Sequence, residues 1–307
     1  MGKKIKIVEV GPRDGLQNEK SPLSLTTRYQ LVKKLADAGL KNIEVGAFVS
    51  PKWVPQMAGS GRLVKKVFDK QKQGQLPKDL NFSALVPNPR GMEDALKTPI
   101  KEVAIFGACS ESFSRKNINC SIDESFDRFA EVLKMARQNK IRVRGYLSTA
   151  FGCPYEGNVS QTRVVKLVSR MLDLGVFEVS LGDTIGVATP KQVNDLLKRL
   201  NRAVVLNKIA MHFHDTRGTA LANVYASLQF GIRSFDTSVG GLGGCPYAKG
   251  ASGNQATEDL AYMLEGMGYS TGLDINKLVS MRQWLEKRVG HSLPSHVGQA
   301  GLPLGWK

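Results

Sequence analysis

Eight short apolar, strand-like runs alternate with stretches of helical spacing along this chain, and few architectures accept that pattern. The runs lie near Lys6 to Val10, Asn42 to Val45, Asn81 to Val86, Glu102 to Phe106, Ile141 to Leu147, Phe177 to Leu181, Lys208 to Phe213 and Arg233 to Thr237. Between most of them apolar residues recur every three or four positions, as in Leu31, Val32, Leu35 and Ala38, or Val193, Leu196, Leu197 and Leu200. That is the period of a helix burying one face. Gly39, Gly175 and Gly231 each stand just before a new strand, where a left-handed helix cap is wanted. Five residues beyond each comes a polar group: Glu44, Ser180 or Asp236. One βα unit repeated in this way predicts an α/β chain closed as a (β/α)8 TIM barrel rather than a doubly wound sheet. The barrel is expected over about 5–268, with extra C-terminal helices over about 271–307. No linker composition marks a second domain, so residues 1–307 are expected to form one.

Composition narrows what such a barrel could be doing. With 42% hydrophobic, 23% charged and 7% aromatic residues the chain is that of a globular protein, neither disordered nor membrane-spanning. No apolar run approaches the ~20 residues that cross a bilayer, and the basic start Met1 to Val10 lacks the continuous apolar segment of a signal peptide. The net charge of +16 would attract nucleic acid, anionic lipid or a polyanionic cofactor. Many lysines nevertheless fall on apparent helix faces, where solvated charge normally sits, and no helix-turn-helix, zinc-finger or RNP-type motif is present. Neither nucleic acid nor membrane is therefore expected as a partner. Four cysteines without a Cys-x-x-Cys pair are too sparse to staple so long a chain, which fits a reducing, cytoplasmic setting.

Catalytic groups in barrels of this kind cluster on loops after the carboxyl ends of the strands, and the unusual residues fall there. His212-Phe213-His214-Asp215 closes the seventh run; residues two apart on a strand share a face, so two imidazoles converge beside carboxylates, half of a divalent-metal site. Gly11-Pro12-Arg13-Asp14-Gly15-Leu16-Gln17 sets a cation beside an anion in a rigid turn after the first run. Its arginine could polarise a carbonyl and its aspartate bind metal, although an Asp capping a backbone amide would look the same. The loop from Gly240 to Asn254 is too rich in glycine for a passive connector and fits neither a P-loop nor a dinucleotide fingerprint. Backbone this permissive can close over a ligand, carrying Cys245 in and Asn254 toward a metal.

These segments bring a family into view. Val8 to Lys20, Phe48 to Met57, Gly152 to Gly157, Leu181 to Gly186 and Gly241 to Tyr247 closely resemble 3-hydroxy-3-methylglutaryl-CoA lyases, with the likeness running from about Ile5 to Gly268. The wider superfamily of metal-dependent Claisen-type enzymes shares the Arg-Asp and His-x-His elements but not the Cys-Pro-Tyr flap.

The resemblance implies a carbon–carbon lyase (an oxo-acid-lyase). It would cleave 3-hydroxy-3-methylglutaryl-CoA to acetyl-CoA and acetoacetate by a retro-Claisen step, in leucine catabolism or ketone-body metabolism. Asp14, His212, His214 and Asn254 look like the ligands of one divalent cation, and two oxygens with two nitrogens suit Mg2+ or Mn2+. Arg13 would meet the charge that develops on the thioester enolate, stabilisation that typically contributes ~3–4 kcal/mol per preorganised donor. Glu44 would support the arginine and the metal's surroundings, and His212 or Asp14 would assist transfer of the hydroxyl proton. Cys245 would deliver a proton to the carbanion or complete the closed site. Arg13, Gln17, Ser180 and Thr184 would bind substrate. An acyl-CoA substrate and a homodimer complete the implied picture. The chain departs from the animal enzymes at Val45-Gly46-Ala47, where those carry three small hydroxyl residues. Loss of a hydroxyl at Ala47 and freed volume at Gly46 suggest preference for a bulkier 3-hydroxyacyl-CoA. The rival readings are a condensing synthase of the same superfamily, for whose extra regulatory region this length leaves little room, and a basic nucleic-acid-binding protein.

Overall fold

In the computed structural model, which describes residues 3–244 and 252–306, eight parallel strands close into a barrel in sequence order. The strands are β1 (Lys6–Glu9), β2 (Asn42–Ala47), β3 (Asn81–Leu85), β4 (Glu102–Ala108), β5 (Arg142–Ser148), β6 (Val179–Gly182), β7 (Ile209–His212) and β8 (Ser234–Thr237), and β8 pairs back onto β1 through Lys6 opposite Ser234. Helices α1 (Leu25–Asp37), α2 (Ser60–Lys72), α3 (Pro89–Leu96), α4 (Glu111–Ile118), α5 (Ile122–Gln138), α6 (Gln161–Leu174), α7 (Pro190–Leu200), α8 (Ala220–Gln229) and α9 (Thr257–Gly266) lie between and after them. Among the described residues, the β4 to β5 connection alone carries two α-helices.

Local sequence explains these boundaries. Ser121 with Glu124 and Thr189 with Gln192 form capping boxes that start α5 and α7. Gly39, Gly175 and Gly231 take φ of 100°, 101° and 82°, the left-handed turn anticipated where helix gives way to strand. The apolar helix faces, such as Val193, Leu196, Leu197 and Leu200 of α7, are buried in one continuous core with the strand residues. Inside the barrel that core gives way to charge. Arg144 of β5, 2% exposed, lies between Glu178 (2.7 Å) and Asp236 of β8 (2.8 Å), and Lys6 reaches Glu178 at 2.9 Å. Opposite charges this close offset the cost of removing them from water.

Two helices follow the barrel, α10 (Ile275–Val289) and α11 (His296–Ala300). The Asp259 carboxylate caps α11, accepting from the His296 and Val297 amides at 2.9 and 2.7 Å. Between these helices Leu293 and Pro294 pack on Gly240 and Gly241, and His291 Nε2 meets Glu19 at 2.9 Å. The extension thus leans on the loops at one end of the barrel.

Candidate active site

The first loop is built around one carbonyl. Val10 O accepts from the amides of Arg13, Asp14 and Gly15 (3.0, 2.7 and 3.3 Å), winding Gly11–Gly15 into a single wide turn that Pro12 stiffens. Glu9 holds the start of the turn through the Gly11 amide (2.9 Å), and a side chain at Gly11 would come 2.5 Å from that carboxylate. The turn presents Arg13 and Asp14 together.

Arg13 is 7% exposed. Its Nε and Nη2 donate to the two oxygens of Glu44 at 2.8 and 3.2 Å, and Nη1 meets Asp14 Oδ1. Glu44 is fully buried and also accepts from the Tyr146 hydroxyl at 2.6 Å. Tyr146 accepts in turn from Arg144 Nη1 at 3.0 Å. Burial alone would lower the Arg13 pKa, but Glu44 and Asp14 outweigh it and raise it, so the guanidinium stays charged. Burial also pushes Asp14 up, and Arg13, His212 and His214 overcome that, holding its carboxyl at about 2.

Asp14, His212 and His214 each offer a donor atom, and these lie within 4.8 Å of one another, the one such group of three among the described residues. His212 ends β7, whereas His214 stands beyond the strand in an isolated bridge to Asn254. The strand therefore stops one residue short of the expected Phe213, because the chain there leaves the sheet to pair with the returning end of the glycine-rich loop. That pairing delivers Asn254, whose Nδ2 donates to Asp14 Oδ2 (3.0 Å) and Leu242 O (3.1 Å). Its Oδ1 is buried without a partner, as is His214 Nδ1. Orphaned buried acceptors beside an anionic carboxylate are what a hard divalent cation would satisfy, so the donor set fits one. The two imidazoles differ. Burial lowers the His212 pKa, but Asp236 and Asp14 reverse this and raise it, while burial and its neighbour His212 push His214 down to about 4.

The remaining candidates are placed less uniformly. Gln17 is half-buried, just past the wide turn. Thr184, after β6, accepts from the Thr149 amide at 2.8 Å, and Thr149 itself, fully buried after β5, holds φ of 57°. A β-branched residue in that conformation is strained backbone at the carboxyl end of a strand, where barrel sites sit. Ser180 is fully buried with its hydroxyl given to Asp236 (2.6 Å) rather than turned to solvent. Cys245 lies outside the described residues. Gly46 opens no pocket, since a Cβ there would meet Ser60 Oγ at 2.5 Å and Arg28 Nη2 at 3.1 Å on the helix side of β2. Arg144 and Tyr146 escaped the sequence reading. Their alternate positions on one strand, hence one face, were the available signal.

A family model described as HMGL-like matches residues 4–285. A hydroxymethylglutaryl-CoA lyase of Pseudomonas mevalonii is 50% identical over 298 residues, 96% of each chain. A 3-hydroxy-3-isohexenylglutaryl-CoA/hydroxymethylglutaryl-CoA lyase of Pseudomonas aeruginosa is 50% identical over 300 residues, 98% of each. The crystal structure of a hydroxymethylglutaryl-CoA lyase from Pseudomonas aeruginosa matches with a TM-score of 0.91 at 50% identity, covering 98% of both chains. With this likeness over nearly its full length, the chain belongs to the HMGL-like family, that of the hydroxymethylglutaryl-CoA lyases.

Proposed function

We propose that this chain is a divalent-metal-dependent lyase that cleaves 3-hydroxy-3-methylglutaryl-CoA to acetyl-CoA and acetoacetate. The observation that carries the reading is a buried guanidinium, Arg13, clamped between Glu44 and Asp14 beside two imidazoles at the end of a closed barrel. In the reaction the tertiary hydroxyl loses its proton, the bond between C2 and C3 breaks, and the electron pair passes into the thioester enolate. A proton then reaches the former C2, giving acetyl-CoA.

Each residue has a part in this scheme. Arg13 stabilises the enolate oxygen, and Glu44 with Tyr146 fixes the plane in which it does so. Asp14, His212, His214 and Asn254 would hold the cation, whose positive charge eases loss of the hydroxyl proton. Of the two candidates for that proton, Asp14 is the one that fits, because an imidazole that ligates through one nitrogen and is protonated at the other has no lone pair left, while a carboxylate keeps a second oxygen. Gln17 and Thr184 contact substrate, and Cys245 supplies the proton to the carbanion. Ser180, bonded to Asp236, supports the site from within the barrel. Oxygen and nitrogen donors without thiolate support Mg2+ or Mn2+.

We read the whole chain as one catalytic domain, acting as a cytoplasmic homodimer. Free Cys109, Cys120 and Cys153 support a reducing compartment, and no helix among the described residues is long and apolar enough to cross a membrane.

The test is acetoacetate release from the methylglutaryl thioester by chelated protein, before and after Mg2+ or Mn2+ is returned. Release should vanish on chelation and come back with either ion. Undiminished turnover after chelation would remove the metal from the scheme, and no acetoacetate under any condition would remove the reaction.

A further inference from the structure

Asp236 has no part in the scheme above, yet it touches the site at its most exacting point. It stands on β8, 2% exposed, with Oδ2 at 3.4 Å from His212 Nδ1. Both its oxygens are fixed from elsewhere. Ser180 donates to Oδ2 at 2.6 Å, and Arg144 Nη2 faces Oδ1 at 2.8 Å. Arg144 is itself gripped by Glu178 at 2.7 Å and joined to Glu44 through the Tyr146 hydroxyl. The carboxylate therefore cannot rotate without breaking contacts to three other strands. The imidazole it faces has a second carboxylate on its far side, since His212 Nε2 lies 4.0 Å from Asp14 Oδ2. His212 thus has an aspartate facing each ring nitrogen; neither its Nδ1 nor that of His214 makes a hydrogen bond, but only His212 has carboxylates within ion-pair distance, Asp236 at 3.4 Å and Asp14 at 4.0 Å, among the described residues.

We propose that Asp236 is the positioning residue of the metal site: it accepts the Nδ1 proton of His212, fixing the tautomer whose Nε2 lone pair points to the cation beside Asp14. The proposal rests on the metal reading given above. Its physical basis is that an imidazole can ligate through one nitrogen only if the proton sits on the other, and a carboxylate on that other nitrogen fixes both proton and ring plane. Ser180 and Arg144 act one step further back, holding the carboxylate that holds the ring. The same arrangement explains why two of the polar residues that follow strand-entry glycines, Ser180 and Asp236, end up bonded to each other.

Asp236 also balances the charge of Arg144, so Asp236→Asn could weaken the fold, and the first measurement uses the unaltered chain. Long-range 1H–15N correlation on histidine-labelled, Mg2+-loaded protein at pH 8 should show His212 protonated at Nδ1; protonation at Nε2 overturns the proposal. The second measurement is Mn2+ binding, read from the electron paramagnetic resonance signal of free Mn2+. Asp236→Asn would place an amide donor at Nδ1 and should lower Mn2+ affinity about 10- to 100-fold, the usual effect of losing a ligand's outer partner. Thermal melts of the same samples give the folded fraction, so instability and lost affinity are separated. Unchanged Mn2+ affinity in folded Asp236→Asn reduces the residue to a counter-ion of Arg144. A wild-type chain that binds no Mn2+ overturns the metal reading itself, and this proposal with it.

Discussion

A guanidinium has five N–H donors in one plane, and at Arg13 three are engaged, two by Glu44 and one by Asp14. Two remain in the plane, as the proposed contact with the enolate oxygen requires. The clamp accounts for an arginine at this position, because an ammonium keeps the charge but cannot serve both oxygens of Glu44 in plane while facing a third group. Arg13→Lys should lower kcat by about 100- to 1000-fold, the usual cost of losing one preorganised donor, with little change in KM. Steady-state kinetics checks this, and an unchanged kcat would mean that something else stabilises the enolate. At this scale the sequence was legible where chemistry sits in a turn. Arg13 and Asp14 adjoin in a Gly-Pro-flanked segment that no ordinary connector needs. Arg144 and Tyr146 were illegible because they occupy a run that otherwise alternates like any buried strand, and only three-dimensional closure brings β5 across to Glu44.

The element that sets Glu44 is a bulge. The pairing of β2 with β3 shifts between Glu44 and Gly46, so Val45 has no opposite residue and the strand bends after the glutamate. A polar knot fixes the bend from the helix side. Ser60 Oγ accepts from the Ala47 amide (3.1 Å) and donates to Met57 O (2.7 Å). Arg28, 1% exposed, reaches Ala58 O at 2.9 Å, Ser60 Oγ at 3.3 Å and Val45 O at 3.5 Å. Burial draws this guanidinium down to about 10. Gly46 leaves the space the knot occupies. Gly46→Ala would drive a methyl into Ser60 and should destabilise the chain by about 1–3 kcal/mol, typical of overpacking, measured as a lower urea midpoint. It should also reduce kcat through displaced Glu44, and an alanine variant with wild-type midpoint and kcat would separate the bulge from the site. The sequence suggests volume freed at Gly46, and that volume lies on the helix side, filled by Ser60 and Arg28, because a bulge is a matter of register that no residue type announces.

At the scale of the whole molecule the barrel was legible from the alternation of eight strand-like runs with helical spacing, reinforced by glycine caps at Gly39, Gly175 and Gly231. What no repeat could show is how the last part of the chain is tied to the first. That tie runs through two buried carboxylates at the root of the glycine-rich loop. Glu9 of β1 accepts from the Val239 amide at 3.0 Å and the Thr257 hydroxyl at 2.7 Å, and Glu258 of α9 accepts from the next amide, Gly240, at 3.0 Å. Burial, only partly offset by these bonds, raises both to about 7. A carboxyl whose folded pKa lies above its unfolded value binds its proton more tightly in the folded chain. Its contribution to stability is full below about 4.5 and is lost as pH rises through about 7. Glu9→Gln keeps an oxygen for the Gly11 and Val239 amides and cannot ionise, so it should remove the share of Glu9 while that of Glu258 stays in both proteins. In chelated protein the urea midpoint of wild type should fall relative to Glu9→Gln between pH 5 and pH 8, by an amount corresponding to about 3 kcal/mol at most. His214, pushed down to about 4, works in the opposite sense, losing stability as pH falls from its unfolded value. It is present in both proteins and cancels in the comparison. Midpoints that run parallel across this range would mean that Glu9 is ionised when folded, and that the loop root is held by a charge rather than by a neutral acid.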